Sequence, residues 1–258
     1  MPSSPASAYL DAATAILDDI RTHELDAIDA AAEVCADAIA QRGLVHLFGT
    51  GHSRIMIEEM FPRHGSYAGF HPIVELSLTF HNPVVGSNGQ RQAMFLEHVK
   101  GFASTILRNF VIAPPDCFVI VSNSGVNEVV VEMAMEAKAL GCTVIALVSK
   151  DHCARSAAKH SSGQKLPDIA DITLGNGTPG GDALVAIDGM DEPVGPGSTV
   201  GGAAVINALK CQIAHKLAAR DAAPIVLSSG LVIGSEASKA RFDVVYDDYR
   251  ERMKKVYG

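Results

Sequence analysis

Apolar residues recur along the first forty positions at spacings of three and four. Leu25, Ile28, Ala32, Cys35 and Ile39 form one such stripe, which predicts an Ala-rich helical hairpin with a face that must be covered. That face can serve a subunit contact or lie back on its own domain. From Gly43 the rhythm changes to short apolar runs that alternate with helical segments. Gly43–Phe48, Pro72–Phe80, Cys117–Val121, Thr143–Val148 and Asp171–Leu174 read as strands. Helices are expected over about 52–60, 90–109 and 126–140, ended by Pro62, Pro114-Pro115 and Gly141. Continuous Val/Ile/Leu runs without polar alternation mark strands buried on both faces, so the pattern predicts an α/β fold. The expected architecture is a doubly wound parallel sheet of about five strands flanked by helices. Residues 1–42 read as the helical segment and 43–258 as a single globular unit. Positions 175–202 are rich in Gly and Pro and read as a loop or lid, before an apolar helix over 203–219, a short strand over 224–227 and a charged terminal helix.

Two strand-to-helix turns carry glycine and polar residues together. They are Gly49-Thr50-Gly51-His52-Ser53 and Ser122-Asn123-Ser124-Gly125-Val126-Asn127. Ligands of open α/β sheets bind outside the carboxyl ends of the strands, so both turns mark one edge. Backbone N–H groups at a helix start favour an anion, and Ser122, Ser124 and Asn127 can add donors to a phosphate. A tight turn and ordinary N-caps explain either turn taken alone. A dinucleotide is disfavoured. The third glycine of G-x-G-x-x-G is replaced by Arg54, and Glu75 falls inside a strand pattern.

Composition narrows the classes further. A formal charge of -8, with no basic block, excludes a nucleic-acid footprint. No apolar run approaches a membrane span, and the start lacks a secretory pattern, so the expected location is the cytoplasm with no membrane partner. The five scattered cysteines make no C-x-x-C and read as reduced and structural. No histidine-carboxylate spacing suggests a metal, and no cofactor is expected.

A strand ending in G-x-G-x-S, followed by one ending in S-x-S-G-x-x-x-E before a long helix, resembles the sugar isomerase (SIS) domain of phosphosugar enzymes. The likeness runs from about Gly43 to Ala219, with SNSGVNEVVVEMAMEAKALGCTVIALVS as its most specific part. GTGHSRIMIEEMFPRHG, ARSAAKHSSGQKLPDIADITLGN and GPGSTVGGAAVINAL resemble a bacterial group of sugar isomerase domain proteins. This group is similar to N-acetylmuramic acid 6-phosphate etherases and phosphoheptose isomerases. The resemblance implies that Ser122, Asn123, Ser124 and Asn127 bind phosphate, and that Gly49, Gly51, His52 and Ser53 touch the sugar. Glu58 or Glu59 falls near the family's catalytic glutamate, with Glu59 favoured by the match to an E-E-L ending. Ser198-Thr199 resembles the G-S-T of the etherases. Gln212 and His215 stand out of register with the Gln/His pattern of the phosphoheptose isomerases. His64 and His160 are the second acid/base candidates, because an imidazole titrates near neutral pH. A surface histidine that only makes hydrogen bonds and a solvated helix face of glutamates are the ordinary alternatives.

The expected chemistry is removal of the proton next to the aldehyde of a ring-opened amino-sugar 6-phosphate, by a glutamate of raised pKa, and loss of the C3 substituent. Aldose-ketose isomerisation shares that first step and is the alternative. A phosphosugar sensor without catalysis is the second, although no DNA-recognition helix accompanies the domain. The resemblance also implies a homodimer with shared sites.

Overall fold

The computed structural model describes residues 4–79 and 89–258. In chain order its elements begin with α1 (Pro5–His23), α2 (Leu25–Ala40), β1 (Val45–Gly49), α3 (Arg54–Met60), β2 (Phe70–Ile73) and α4 (Leu76–Thr79). Next come α5 (Gln90–Leu96), α6 (Phe102–Leu107), β3 (Cys117–Val121), α7 (Glu128–Ala139), β4 (Thr143–Val148) and α8 (Lys150–Arg155). The chain continues through α9 (Leu166–Ile169), β5 (Ile172–Gly175), β6 (Ala183–Val185) and β7 (Val194–Pro196). It ends with α10 (Ser198–Ala218), α11 (Gly230–Ile233) and α12 (Ser235–Tyr257).

Strands β1 to β5 form one all-parallel sheet in the order β2-β1-β3-β4-β5, as the unbroken apolar runs require. Alternate residues of each strand feed opposite cores. Val45, Leu47, Val119, Val121, Ile145 and Leu147 meet residues of α2, α3 and α10. Phe48, Phe118, Ile120, Val144 and Ala146 meet residues of α6, α7 and α9. The helical hairpin therefore lies back on its own sheet: Ile28, Ala31, Ala32, Cys35 and Ile39 share the first core with the strands. Glu24, at the bend of the hairpin, accepts a hydrogen bond from Gly175 N (2.8 Å) and one from Lys150 Nζ (2.6 Å), tying it to the end of β5.

Several boundaries differ from expectation. The strand expected from Pro72 covers only Phe70–Ile73 and is followed by the short α4, so Glu75 lies beyond the strand; Phe80 is outside the described residues. The helix expected over 90–109 is two helices, because the chain takes a left-handed turn at Gly101 (φ 77°). Residues 175–202 are not one open loop. They hold the β6–β7 antiparallel pair and the first turn of α10, which starts at Ser198 rather than Ala203. The reason is packing: a Cβ on Gly201 would stand 1.9 Å from the Asn176 carbonyl oxygen, and one on Gly202 2.9 Å from Met56 Sδ. Glycines that read as loop residues let a helix approach the backbone at the end of β5. Residues 224–227 form no strand, although Leu227 exchanges two backbone hydrogen bonds with Ser66 and Gly65. Among the described residues, no helix is long and apolar enough to cross a membrane.

Candidate functional site

In a sheet of this order the first crossover reverses between β1 and β3, and the crevice beyond their carboxyl ends is where ligands bind. Both turns singled out in the sequence leave these two strands. After Gly49 the chain passes Gly51 at φ 54° and makes one tight 3-10 turn (Gly51–Ser53) before α3. After Val121 it passes Gly125 at φ 66°, and the Ser122 hydroxyl accepts from Gly125 N (3.1 Å), holding that turn closed. Side chains at these glycines would be strained.

The crevice has two lobes. The outer lobe, about 540 Å³, is lined by Thr50–Ser53, Ser122–Ser124, Val126 and Asn127, together with Glu97, His152, Ser156, Ala157 and Lys159. The inner lobe, about 170 Å³, lies over Val121, Leu147, Met56 and Gly202, and its polar wall is Ser53, His52, Asn123, Asn176, Asp182, Ser198 and Thr199. His52, Ser53 and Asn123 line both.

Asn127 occupies the N-cap position of α7 but makes no capping bond with its side chain. Its amide nitrogen instead donates to Glu97 Oε2 (2.6 Å), and its amide oxygen accepts from Lys159 Nζ (2.9 Å). The Glu97 main chain is fixed as well, its carbonyl accepting from Val129 N (3.1 Å). A half-buried carboxylate and an ammonium are thus held on either side of one amide at the mouth of the outer lobe. Asn123 turns the other way, and its Oδ1 accepts from Asn176 Nδ2 (2.9 Å) at the end of β5.

The structure brings Gly51, His52, Ser53, Ser122, Asn123, Ser124, Asn127, Ser198 and Thr199 into one crevice, with Gly49 at the root of its first turn. It does not bring the four expected acid/base residues there. Glu59 lies at the far end of α3, where it pairs with Arg63 (2.7 Å) and accepts from Asn207 Nδ2 (3.2 Å) of α10. Burial alone would raise its pKa. The hydrogen bonds from Asn207 and Arg63, with the charges of Arg63 and Lys210, outweigh burial and hold it below its ordinary value. The expectation of a glutamate with raised pKa is therefore corrected at Glu59. Glu58 is exposed beside Arg54 (3.5 Å), and His64 is exposed in the loop after α3. His160 is held in its own loop by Ser162 Oγ (2.8 Å), with Glu132 3.9 Å away.

Ser198 also differs from expectation as an anion site. Asp182 Oδ1 accepts from Gly197 N (3.1 Å) and Ser198 N (2.7 Å), and Oδ2 from the Ser198 hydroxyl (2.7 Å). A carboxylate of the protein already fills the start of α10. Sequence reasoning missed Glu97, Lys159, Asn176 and Asp182. Asn176 follows β5 on the same sheet edge, so the rule that marked the two turns could have marked a third. Glu97 sits in an ordinary helical pattern and gives no local signal. Among the described residues, no group of three or more His, Cys, Asp or Glu is placed to hold a metal ion.

The model of the SIS domain family matches residues 8–149. A UPF0309 protein of Listeria monocytogenes serotype 4b (strain F2365) is 32% identical over 245 residues, 95% of this chain and 96% of the relative. A UPF0309 protein of Streptomyces coelicolor is 35% identical over 249 residues, 96% of each chain. Among solved structures, a phosphoheptose isomerase from Francisella tularensis superposes with a TM-score of 0.53 at 16% identity, over 81% of this chain and 95% of that one. The phosphoheptose isomerase of Neisseria gonorrhoeae gives 0.52 at 16% identity, over 81% and 96%. The two structures share the fold.

Proposed function

The chain belongs to the SIS domain family and, within it, to the UPF0309 proteins, and we propose that it is a phosphosugar enzyme working in the β1/β3 crevice. The observation that carries this reading is the convergence of both glycine turns, with their hydroxyls, on one outer lobe that also holds Glu97 and Lys159. The phosphate takes the outer lobe. There the backbone N–H groups of the turns, the Ser122 and Ser124 hydroxyls and the Lys159 ammonium replace its water. The sugar chain lies along the same lobe past His52 and Ser53, with C1 to C3 toward Glu97 and His152.

Glu97 takes the part of base in this reading, in place of Glu59. Its carboxylate removes the proton from C2 of the ring-opened sugar, and the electron pair moves onto the C1 carbonyl to give an enolate. Collapse of that species forms the C2=C3 double bond and expels the C3 oxygen. The leaving oxygen takes a proton from His152, which lines the same lobe, and departs as water or an alcohol. The preferred substrate is an amino-sugar 6-phosphate such as N-acetylglucosamine 6-phosphate. The protein acts in the cytoplasm as a homodimer, with the exposed Leu10 and Leu17 of α1 available for the contact.

Incubation with N-acetylglucosamine 6-phosphate, N-acetylmuramic acid 6-phosphate, glucosamine 6-phosphate and sedoheptulose 7-phosphate tests the reading, with mass spectrometry and proton NMR in deuterated water. Loss of water or lactate with an enal product is the expected result. Unchanged mass with deuterium at C1 or C2 would replace elimination by isomerisation. Binding without turnover would make the protein a sensor.

A further inference from the structure

A second concavity lies at the other end of β1 from the crevice. It is a cleft of about 310 Å³ between the end of α2, the stretch after α10 and the middle of α12. Its walls are mainly apolar, with Ile39, Ala68, Leu217, Pro224, Ile225 and Val244 among them. Ile225 and Val244 are 47% and 50% exposed. Among the described residues that line it, the polar side chains are Arg42, Asp248 and Arg252. Apolar walls with a few placed polar groups are the ordinary make-up of a small-molecule site.

The Arg252 side chain is only 8% exposed. Its Nε donates to Asp248 Oδ2 (2.9 Å), and its Nη1 to the carbonyls of Ile39 (3.0 Å) and Gly43 (2.8 Å). Its Nη2 makes no hydrogen bond with any described residue, so two of the five guanidinium N–H groups have no partner there. Donors on a side chain this buried are ordinarily satisfied. Arg42 pairs with the other oxygen of the same Asp248. It holds φ 67°, a left-handed conformation just past α2 where glycine is the usual residue. The chain forgoes that glycine and sets a second guanidinium on the cleft.

Two guanidiniums share one carboxylate, which leaves the cleft a single positive charge. The carbonyl of Ile39 at the end of α2 is already met by Arg252 Nη1. One positive charge matches a monoanion, and the forked donors of arginine match a carboxylate. A dianionic phosphate would exceed that charge and leave the apolar walls uncovered. We propose that this cleft binds a small monocarboxylate with an apolar chain. Its carboxylate lies on Arg252 Nη2 and Arg42, and its chain against Leu217, Ile225 and Val244. This is independent of what occupies the crevice, because no residue lines both.

Calorimetric titration of the full chain with hexanoate, acetate, hexanol and hexylamine tests this. Hexanoate should bind at least tenfold more tightly than each of the others. Acetate lacks the chain, hexanol lacks the charge, and hexylamine carries the wrong sign. Val244→Glu alters an exposed helix position and puts a carboxylate in the cleft, so it should weaken hexanoate at least tenfold. Arg42→Asn keeps a residue that tolerates the left-handed backbone and should weaken hexanoate at least fivefold. Absence of hexanoate binding, or equal binding of any of the other three probes, would overturn the proposal. So would an unchanged hexanoate affinity in a folded Val244→Glu, which would put the carboxylate elsewhere on the protein.

Discussion

At their carboxyl ends β1 and β3 open onto the crevice, and at their amino ends they close around a second polar group. There, His46 Nδ1 and His71 Nδ1 lie 2.8 Å apart, and His46 Nε2 lies 3.2 Å from Asp116 Oδ2. Asp116 Oδ1 accepts from Leu44 N (2.8 Å). Both histidines are buried, and Phe118 and Phe110 pack on their rings. This amino-end network spends its hydrogen bonds mainly on itself, and of its three side chains only Asp116 is partly exposed. The carboxyl end leaves a 540 Å³ lobe facing hydroxyls, a carboxylate and an ammonium. Polar residues on a sheet edge therefore mean stability where they are mutually satisfied and buried, and chemistry where they are held apart around a cavity.

Variants at the two ends should separate activity from stability. The largest effect is expected at Glu97. Glu97→Gln should lower kcat at least 100-fold, the ordinary worth of a positioned base, with phosphate-ester binding kept and the melting temperature little changed. Retained turnover would remove Glu97 from the mechanism. Asp116→Ala at the opposite end should do the reverse. It strands the Leu44 N–H and a His46 nitrogen, and should cost about 2 kcal/mol in urea unfolding while ligand affinity stays as it was. An affinity loss as large as the stability loss would erase the distinction between the ends.

The pH dependence sharpens the contrast. Burial, aided by His46 and opposed by Asp116, lowers the His71 pKa from 6.5 to about 3, so the folded protein holds it neutral. Its contribution to stability is complete above pH 6.5, where the unfolded chain is neutral too. It is lost as the pH falls from there towards 3, because only the unfolded chain takes up the proton. The slope should approach about 1.4 kcal/mol per pH unit and flatten in His71→Asn. A stability curve unchanged by that substitution would show that His71 is not held neutral.

The smallest effect is expected at Glu59. Its lowered pKa stabilises the fold above about 4.5, and this is lost as the pH drops through the lower folded value. Glu59→Gln should cost about 0.5 kcal/mol at pH 7, converge with the unaltered protein in acid, and keep turnover within twofold. A large loss of turnover would return the catalytic part to Glu59.

The order of residues alone specifies the parallel sheet, because strands buried on both faces must be apolar throughout and the chain shows those runs plainly. It also determined the two turns, since Gly51 and Gly125 serve backbone conformations that other residues resist. Ser198 and Thr199 were legible as crevice residues through family resemblance, though not their closure by Asp182. Which carboxylates face the crevice is settled by packing. Glu59 and Glu97 both lie on or just beyond short helices, and local pattern does not say what packs over each. Asn207 and Lys210, some 150 residues from Glu59, meet it through the docking of α10 on α3. Glu97 reaches the mouth of the outer lobe through Asn127, 30 residues away. Asp182 reaches Ser198 because the β6–β7 pair folds residues 183–196 back on themselves. Periodicity carries information about which side of an element is buried. Which distant group occupies that side is fixed only when the elements pack.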